Sequence, residues 1–308
     1  MKSEYKLLPE IYQVEATTSC QLECDLCHRD QTVAARGGNK HLDPNELARW
    51  IARGDFAGSY FVELQMSGEP LLHPRLEQIT KQLKDAKLLV GMSTNGLLLK
   101  HHPRRIIGLD AITVSVDSMD PVEYAKRRPH HRDRNDGDLS ALLSNIDDLL
   151  RNPHCPKYVD LQIVAPIECT QDKLDEELAK LRERFPDPRI TVRSVWDSFA
   201  VTFGRARFSA GKELCLNPWT SVSVQSDGTV VSCCYVWDHN EANTYGNLND
   251  RSLRDIWTGE KVAEMRRKQR EGAQIGGWCD GCYRKSPYLI HLGFMPSFIG
   301  RDSLRAVK

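Results

Sequence analysis

The sequence predicts an α/β protein: an open, partial (β/α)6 unit, a relative of the eight-fold TIM barrel, followed by a small α+β unit. Residues 10–200 alternate short β-rich runs with amphipathic helical stretches, as a parallel sheet with crossover helices requires. Residues 197–214 carry no clear period, and beyond them a hairpin signal and a charged helix replace the alternation. The 308 residues carry 42 basic and 42 acidic side chains and no long apolar run, enough for one large or two modest domains with a proper core. The expected boundaries are 1–205, 206–285 and an apolar tail, 286–308, packed on the body.

Formal neutrality gives no electrostatic reason to expect nucleic acid or an anionic membrane as partner. The charged first ten residues lack the apolar run of a signal peptide, so the expected location is the cytoplasm. In such a chain, ten clustered cysteines point to metal rather than disulfides.

Six runs read as the strands of the first unit: 12–16, 60–66, 88–93, 111–117, 158–165 and 190–196. Between them, 43–53, 74–85, 140–151 and 173–184 read as helices, with Asp43 and Thr170 or Gln171 near plausible starts. Ligands of such sheets sit at the carboxyl ends of strands, and the loop holding Cys20 follows the first strand. In the second unit, 220–225 and 229–233 alternate around Ser226-Asp227-Gly228 as a hairpin, and 252–270 reads as one helix.

Thr18 to Cys27 packs three thiols, Cys20, Cys24 and Cys27, into one loop spaced Cx3Cx2C. Three thiols reach three corners of a [4Fe-4S] cube and leave one iron open. A structural zinc site, the competing reading, closes with four ligands, and no fourth cysteine lies nearby. The other strand ends are polar: Ser67-Gly68-Glu69-Pro70, Ser93-Thr94-Asn95-Gly96 and Ser115-Val116-Asp117-Ser118. Taken singly these read as turn chemistry. Together with the Cx3Cx2C loop they resemble the radical SAM superfamily, whose S-adenosylmethionine occupies the open iron.

That resemblance spans about residues 10–200. It implies Cys20, Cys24 and Cys27 as ligands of a [4Fe-4S] cluster and Gly68, Glu69 and Pro70 as the stretch that meets the methionine amino group. Ser93, Asn95, Ser115 and Asp117 match positions near the cofactor's ribose and carboxylate. Arg128, four residues after Tyr124, matches an arginine that pairs the carboxylate, a task its planar fork suits. A solvated loop is the alternative for 126–134. His28, directly after Cys27, departs from the family's apolar or aromatic choice.

Cys215-x17-Cys233 and Cys279-x2-Cys282 supply four more thiols, and spacing alone leaves zinc and an iron–sulfur cube open. Beside the first motif, they resemble the Twitch form of the SPASM extension. That resemblance implies one auxiliary [4Fe-4S] cluster, so two clusters in all. Cys155 and Cys169 read as core or loop thiols. Cys234 follows Cys233 directly, and neighbours along a strand face opposite ways, so it is read either as a packing residue or as a catalytic hydrogen donor.

The resemblance further implies reductive cleavage of S-adenosylmethionine and removal of a substrate hydrogen by the 5′-deoxyadenosyl radical. The expected substrate is a small polar, aminocyclitol- or aminosugar-like molecule, with epimerisation through Cys234 as the expected outcome. Dehydrogenation through the auxiliary cluster, peptide modification and a non-catalytic iron–sulfur or zinc protein are the alternatives. Only 19 residues precede Cys20, which weighs against a fused leader-peptide domain. An electron donor such as flavodoxin or ferredoxin is the expected partner. Arg193, Trp196 and Asp197, at the last strand's end, are candidates to touch substrate.

Overall fold

The computed structural model describes residues 8–130, 138–166, 168–196, 215–234, 236 and 238–280. Cys282, Asp197, the expected domain junction and the apolar tail lie outside them, as does the side chain of Trp196.

All six expected strands of the first unit form: β1 (Glu10–Val14), β2 (Phe61–Leu64), β3 (Leu89–Thr94), β4 (Ala111–Ser115), β5 (Tyr158–Ala165) and β6 (Ile190–Trp196). They pair in parallel, each with its sequence neighbour. One face carries Val62, Leu64, Val90, Met92, Ile112, Val114, Val159 and Leu161, all essentially inaccessible under the helices. The opposite face carries polar side chains, including Gln13, Glu63, Ser93, Thr113 and Asp160, aligned across adjacent strands. Glu63 in β2 and Arg193 in β6 stand four strands apart, roughly 19 Å on a flat sheet at about 4.8 Å per strand. The Arg193 charge nevertheless acts on Glu63, so the sheet curls with its polar face inside.

The crossover helices start on chemistry the sequence shows. Asp43 accepts the Asn45 N–H ahead of α2 (Pro44–Arg53), which buries Leu47 and Trp50. Asp138 accepts the Ala141 N–H at α5 (Leu139–Arg151), and Thr170 the Lys173 N–H at α6 (Gln171–Arg184). Helix α3 (Leu76–Asp85) buries Leu76, Ile79 and Leu83. Two short helices were not foreseen: α1 (Arg29–Ala35) after the Cys20 loop, and α4 (Pro121–Arg127), capped by Asp120 on the N–H groups of Val122 and Glu123.

The second unit continues the sheet of the first. Its hairpin, β7 (Ser221–Val224) and β8 (Thr229–Val231), is antiparallel as expected, but β7 also pairs in parallel with β1. With β9 (Thr244–Asn247) the result is one nine-stranded sheet, ordered β6-β5-β4-β3-β2-β1-β7-β8-β9. The single helix expected over 252–270 is two, Leu253–Trp257 and Glu260–Glu271, because the chain turns at Gly259, which caps the second with extended backbone.

A buried ion pair joins the units. Arg36, at the end of α1, holds Glu15 through Nη1 and Oε2 at 2.8 Å, with both side chains fully buried. In the β7–β8 turn, Ser226 donates to the same Glu15 oxygen from its N–H at 3.0 Å and its hydroxyl at 2.7 Å.

Candidate active site

The Cys20 loop leaves β1 at its carboxyl end and is tied down on both sides. Thr18 accepts from the Lys40 N–H at 2.8 Å through its hydroxyl and from Arg29 Nε at 2.5 Å through its carbonyl. On the other side Glu23 N–H donates to Pro129 O at 2.9 Å, and Asp25 N–H to Arg127 O at 3.1 Å. Gly68 packs against the loop so closely that a Cβ there would stand 2.2 Å from the Thr17 oxygen and 2.7 Å from that of Ser19. Only glycine fits.

Glu69 fastens the neighbouring strand-end loops together. Its buried carboxylate accepts from Leu71 N–H at 3.0 Å, Thr94 Oγ1 at 2.8 Å and Asn95 N–H at 2.7 Å. Burial raises the Glu69 pKa against the pull of these bonds. Pro70 then opens a short 3-10 turn, Pro70–Leu72. Asn95 accepts from Gln21 at 3.0 Å and so reaches the cysteine loop. Asp117, in left-handed backbone at φ 63°, accepts from Val164 N–H at 3.0 Å and takes Arg128 Nε at 2.7 Å and Nη2 on its other oxygen. Burial opposes the Arg128 charge, but Asp117, with Cys24 and Tyr124 adding to it, pushes the guanidinium pKa up.

The structure therefore gathers Cys20, Cys24, Cys27, Gly68, Glu69, Asn95, Asp117 and Arg128 at one end of the barrel; Arg128 acts on Cys24 and on Glu69. Ser93 turns to the inner face, where it donates to Glu63 at 2.6 Å. Ser115 stands half-buried at the end of β4, in register with Gln162. His28 precedes α1, with Nδ1 3.3 Å from Gln31. Arg193 lies on the inner face against Asp160.

Burial pushes the Cys20 and Cys24 thiols up to about 12, with Glu69 adding to the first and Arg128 opposing the second. Cys27 is raised by burial and held back by the Arg29 N–H at its sulfur. The bare thiols keep their protons, and ligation must displace them.

In the second unit Cys215, Cys233 and Cys279 all act on Tyr245 of β9. Its hydroxyl is buried and, among the described residues, meets no donor or acceptor. Asn243 donates to Cys279 Sγ at 3.1 Å. Cys234 is buried in a turn three residues beyond β8, so Cys233 and Cys234 are not the strand neighbours expected; β8 ends at Val231. Its N–H donates to the Tyr12 hydroxyl at 3.3 Å, and that hydroxyl also meets the Cys234 thiol and Ser223. Tyr12 stands where the β1–β7 register shifts between Ile11 and Gln13, and the bulge turns its ring toward Cys234. Cys155 and Cys169 are half-buried loop thiols that donate to Pro156 O and Thr170 O.

Among the described residues no three acidic, histidine or cysteine side chains are close enough to hold a bare metal ion. The fit to iron–sulfur cubes rests on the donors: soft thiols in both places, N–H groups aimed at sulfur from Leu22 and Arg29 in the first, and Asn243 with the unsatisfied Tyr245 hydroxyl in the second. Arg29, Tyr12, Tyr245, Glu63 and Asp160 escaped the sequence reading. For Glu63 and Asp160 a signal existed: each is an acid in the middle of an apolar strand run.

An iron–sulfur enzyme on a partial parallel barrel is the class these features define. Residues 14–152 match the model of the radical SAM superfamily, and residues 215–283 that of SPASM, an iron–sulfur cluster-binding domain. The chain belongs to the radical SAM superfamily and carries a C-terminal SPASM domain; its cofactors are S-adenosylmethionine and [4Fe-4S], with further iron–sulfur in the SPASM domain.

The probable GTP 3′,8-cyclase of Methanococcus maripaludis is 29% identical over 129 residues, 41% of this chain and 42% of its own length. That of Thermococcus kodakarensis is 31% identical over 117 residues, 37% of each. The chain thus spans about two fifths of the length of these curated relatives. Among solved structures, BtrN in complex with AdoMet and 2-DOIA is similar at TM-score 0.53 and 16% identity, covering 91% of this chain and 97% of BtrN. Streptococcus suis SuiB bound to precursor peptide SuiA is similar at 0.59 and 13%, covering 85% and 67%. At these identities the likeness shows the fold. Among the described residues no helix is long and apolar enough to cross a membrane.

Proposed function

We propose that the enzyme removes a hydrogen atom from a carbon of a small, polar, aminocyclitol- or aminosugar-like substrate and returns one from the opposite face, inverting the centre. In this reading Cys20, Cys24 and Cys27 hold the first cluster, and Cys215, Cys233, Cys279 and Cys282 an auxiliary one. Gly68, Glu69, Pro70, Ser93, Asn95, Ser115, Asp117 and Arg128 border S-adenosylmethionine. Bound together, cluster and cofactor supply the radical that takes the substrate hydrogen. Asp117 holds the Arg128 guanidinium beside Cys24, ready for a ligand carboxylate.

The observation that carries the reading is the burial of Cys234 against Tyr12. The Cys234 S–H bond breaks as the new C–H bond forms, leaving sulfur one electron and one proton short. A carrier of the flavodoxin or ferredoxin class supplies the electron. Tyr12, kept protonated by burial and by the neighbouring thiols, can pass on a proton from solvent.

Dehydrogenation is the second reading. It is favoured by the gathering of Cys215, Cys233 and Cys279 around Tyr245, a place for an electron acceptor, and by the likeness to BtrN, named with AdoMet and 2-DOIA. Anaerobic turnover of aminocyclitols and aminosugars in deuterium oxide separates the two, because S–H exchanges with solvent. Inversion with deuterium at the centre, abolished in Cys234→Ala while 5′-deoxyadenosine still forms, is the expected result. A product two hydrogens lighter, formed at unchanged rate by Cys234→Ala, overturns it.

A further inference from the structure

We propose that Asp160 forms an ammonium-binding subsite on the inner face of the barrel, so that the substrate carries a positively charged amine among hydroxyl groups. This rests on the small-polar-substrate reading above. Asp160 lies on β5 opposite Thr113 of β4 and is 3% exposed. Its Oδ2 takes Arg193 Nε and stands 3.5 Å from Thr113 Oγ1. Among the described residues its buried Oδ1 has no donor. Native structures rarely leave a buried carboxylate oxygen bare, and a ligand N–H is the donor this one calls for.

The sign of the ligand follows from the neighbours. Glu63 lies on the same face of the sheet and is satisfied, by the Ser93 hydroxyl at 2.6 Å and by the Gln65 amide nitrogen, turned 3.1 Å from both oxygens. Asp160 and Arg193 both act on it. Among the described residues two carboxylates thus share Arg193, and burial raises the pKa of both. A cation balances this surplus, whereas a phosphate or carboxylate would add to it. A divalent metal ion would ask for six or more oxygens, and a single bare one is offered; an ammonium brings three donors, one for the bare oxygen and the others for neighbouring hydroxyl and amide oxygens. Gln13, Ser93 and Gln162 add amide and hydroxyl groups suited to a polyol.

Equilibrium binding to the anaerobic holoenzyme with S-adenosylmethionine tests the subsite with three rings of one size: scyllo-inosamine, scyllo-inositol and myo-inositol 1-phosphate. The amine should bind about tenfold or more tightly than the neutral ring, as a charge-assisted bond implies. Asp160→Asn should erase that preference with iron content and circular dichroism unchanged. Arg193→Gln, which removes the competing cation, should widen it and serves if Asp160→Asn fails to fold. No binding of the amine, equal binding of amine and inositol, tighter binding of the phosphate, a preference kept in Asp160→Asn or one narrowed in Arg193→Gln overturns the subsite. Formation of 5′-deoxyadenosine in the same samples reports on the radical reading separately.

Discussion

Glu69 shows what one buried carboxylate can do at a strand end: three donors from two loops converge on it. Glu69→Gln replaces one acceptor oxygen with a donor that faces N–H groups, so it should cost about 1–3 kcal/mol in urea denaturation of the cluster-free protein. An unchanged midpoint would mean that these loops are held elsewhere. Tyr245 behaves the opposite way. Its hydroxyl is buried without a partner among the described residues, so Tyr245→Phe should leave the cluster-free protein as stable as before or more so. In the loaded enzyme the same change removes a donor from among the thiols and should lower the midpoint potential of the second cluster, read by redox titration with electron paramagnetic resonance. An unmoved potential would place the hydroxyl away from the cluster. Cys20, Cys24 and Cys27 are legible in the sequence because they share one loop. Asp160 is legible only as an acid inside an apolar run; its meaning depends on Thr113, Glu63 and Arg193, which three other strands bring to it.

Between elements, the Glu15–Arg36 pair is the joint where β1, α1 and the β7–β8 turn meet. Glu15→Ala leaves the buried Arg36 guanidinium only Asp227, 3.7 Å from Nη2, as counter-charge and should cost about 3 kcal/mol, whereas Glu15→Leu with Arg36→Met should recover much of that loss in the same denaturation assay. His73 supplies a pH dependence. Its Nε2 lies 2.8 Å from Leu42 O and its Nδ1 accepts from the Arg75 N–H at 3.0 Å, so the ring is held neutral in one tautomer. Burial, with His41 and Arg75 adding to it, lowers its pKa to about 4. The unfolded chain, titrating near 6.5, then binds the proton first; the stability from this site is whole above about pH 6.5 and falls away toward pH 4. Wild type should lose about 3 kcal/mol over that window relative to His73→Gln, by denaturant midpoints at each pH. Equal losses would show the ring to be accessible to protons in the fold. The six barrel strands are legible because apolar runs bounded by turns mark them plainly. Helices α1 and α4 have seven residues each, too few to show a helical period, and β9 carries glycine and asparagine in a four-residue strand.

At the scale of the molecule, the auxiliary domain is an extension of the catalytic sheet, because β7 continues it from β1. The Cys20 loop leaves that same β1, and Tyr12 within it touches Cys234, so one strand serves both thiol groups. No local pattern announces this arrangement, since the β1–β7 pairing joins residues about 210 apart and parallel pairing leaves no turn signature. The central claim, that two separate thiol sets hold two [4Fe-4S] clusters, is tested most directly by counting iron in the anaerobically reconstituted protein. About eight irons per chain are expected in the wild type and about four when Cys20, Cys24 and Cys27 are all changed to alanine. About four irons in the wild type, with stoichiometric zinc retained at the second site, would contradict it.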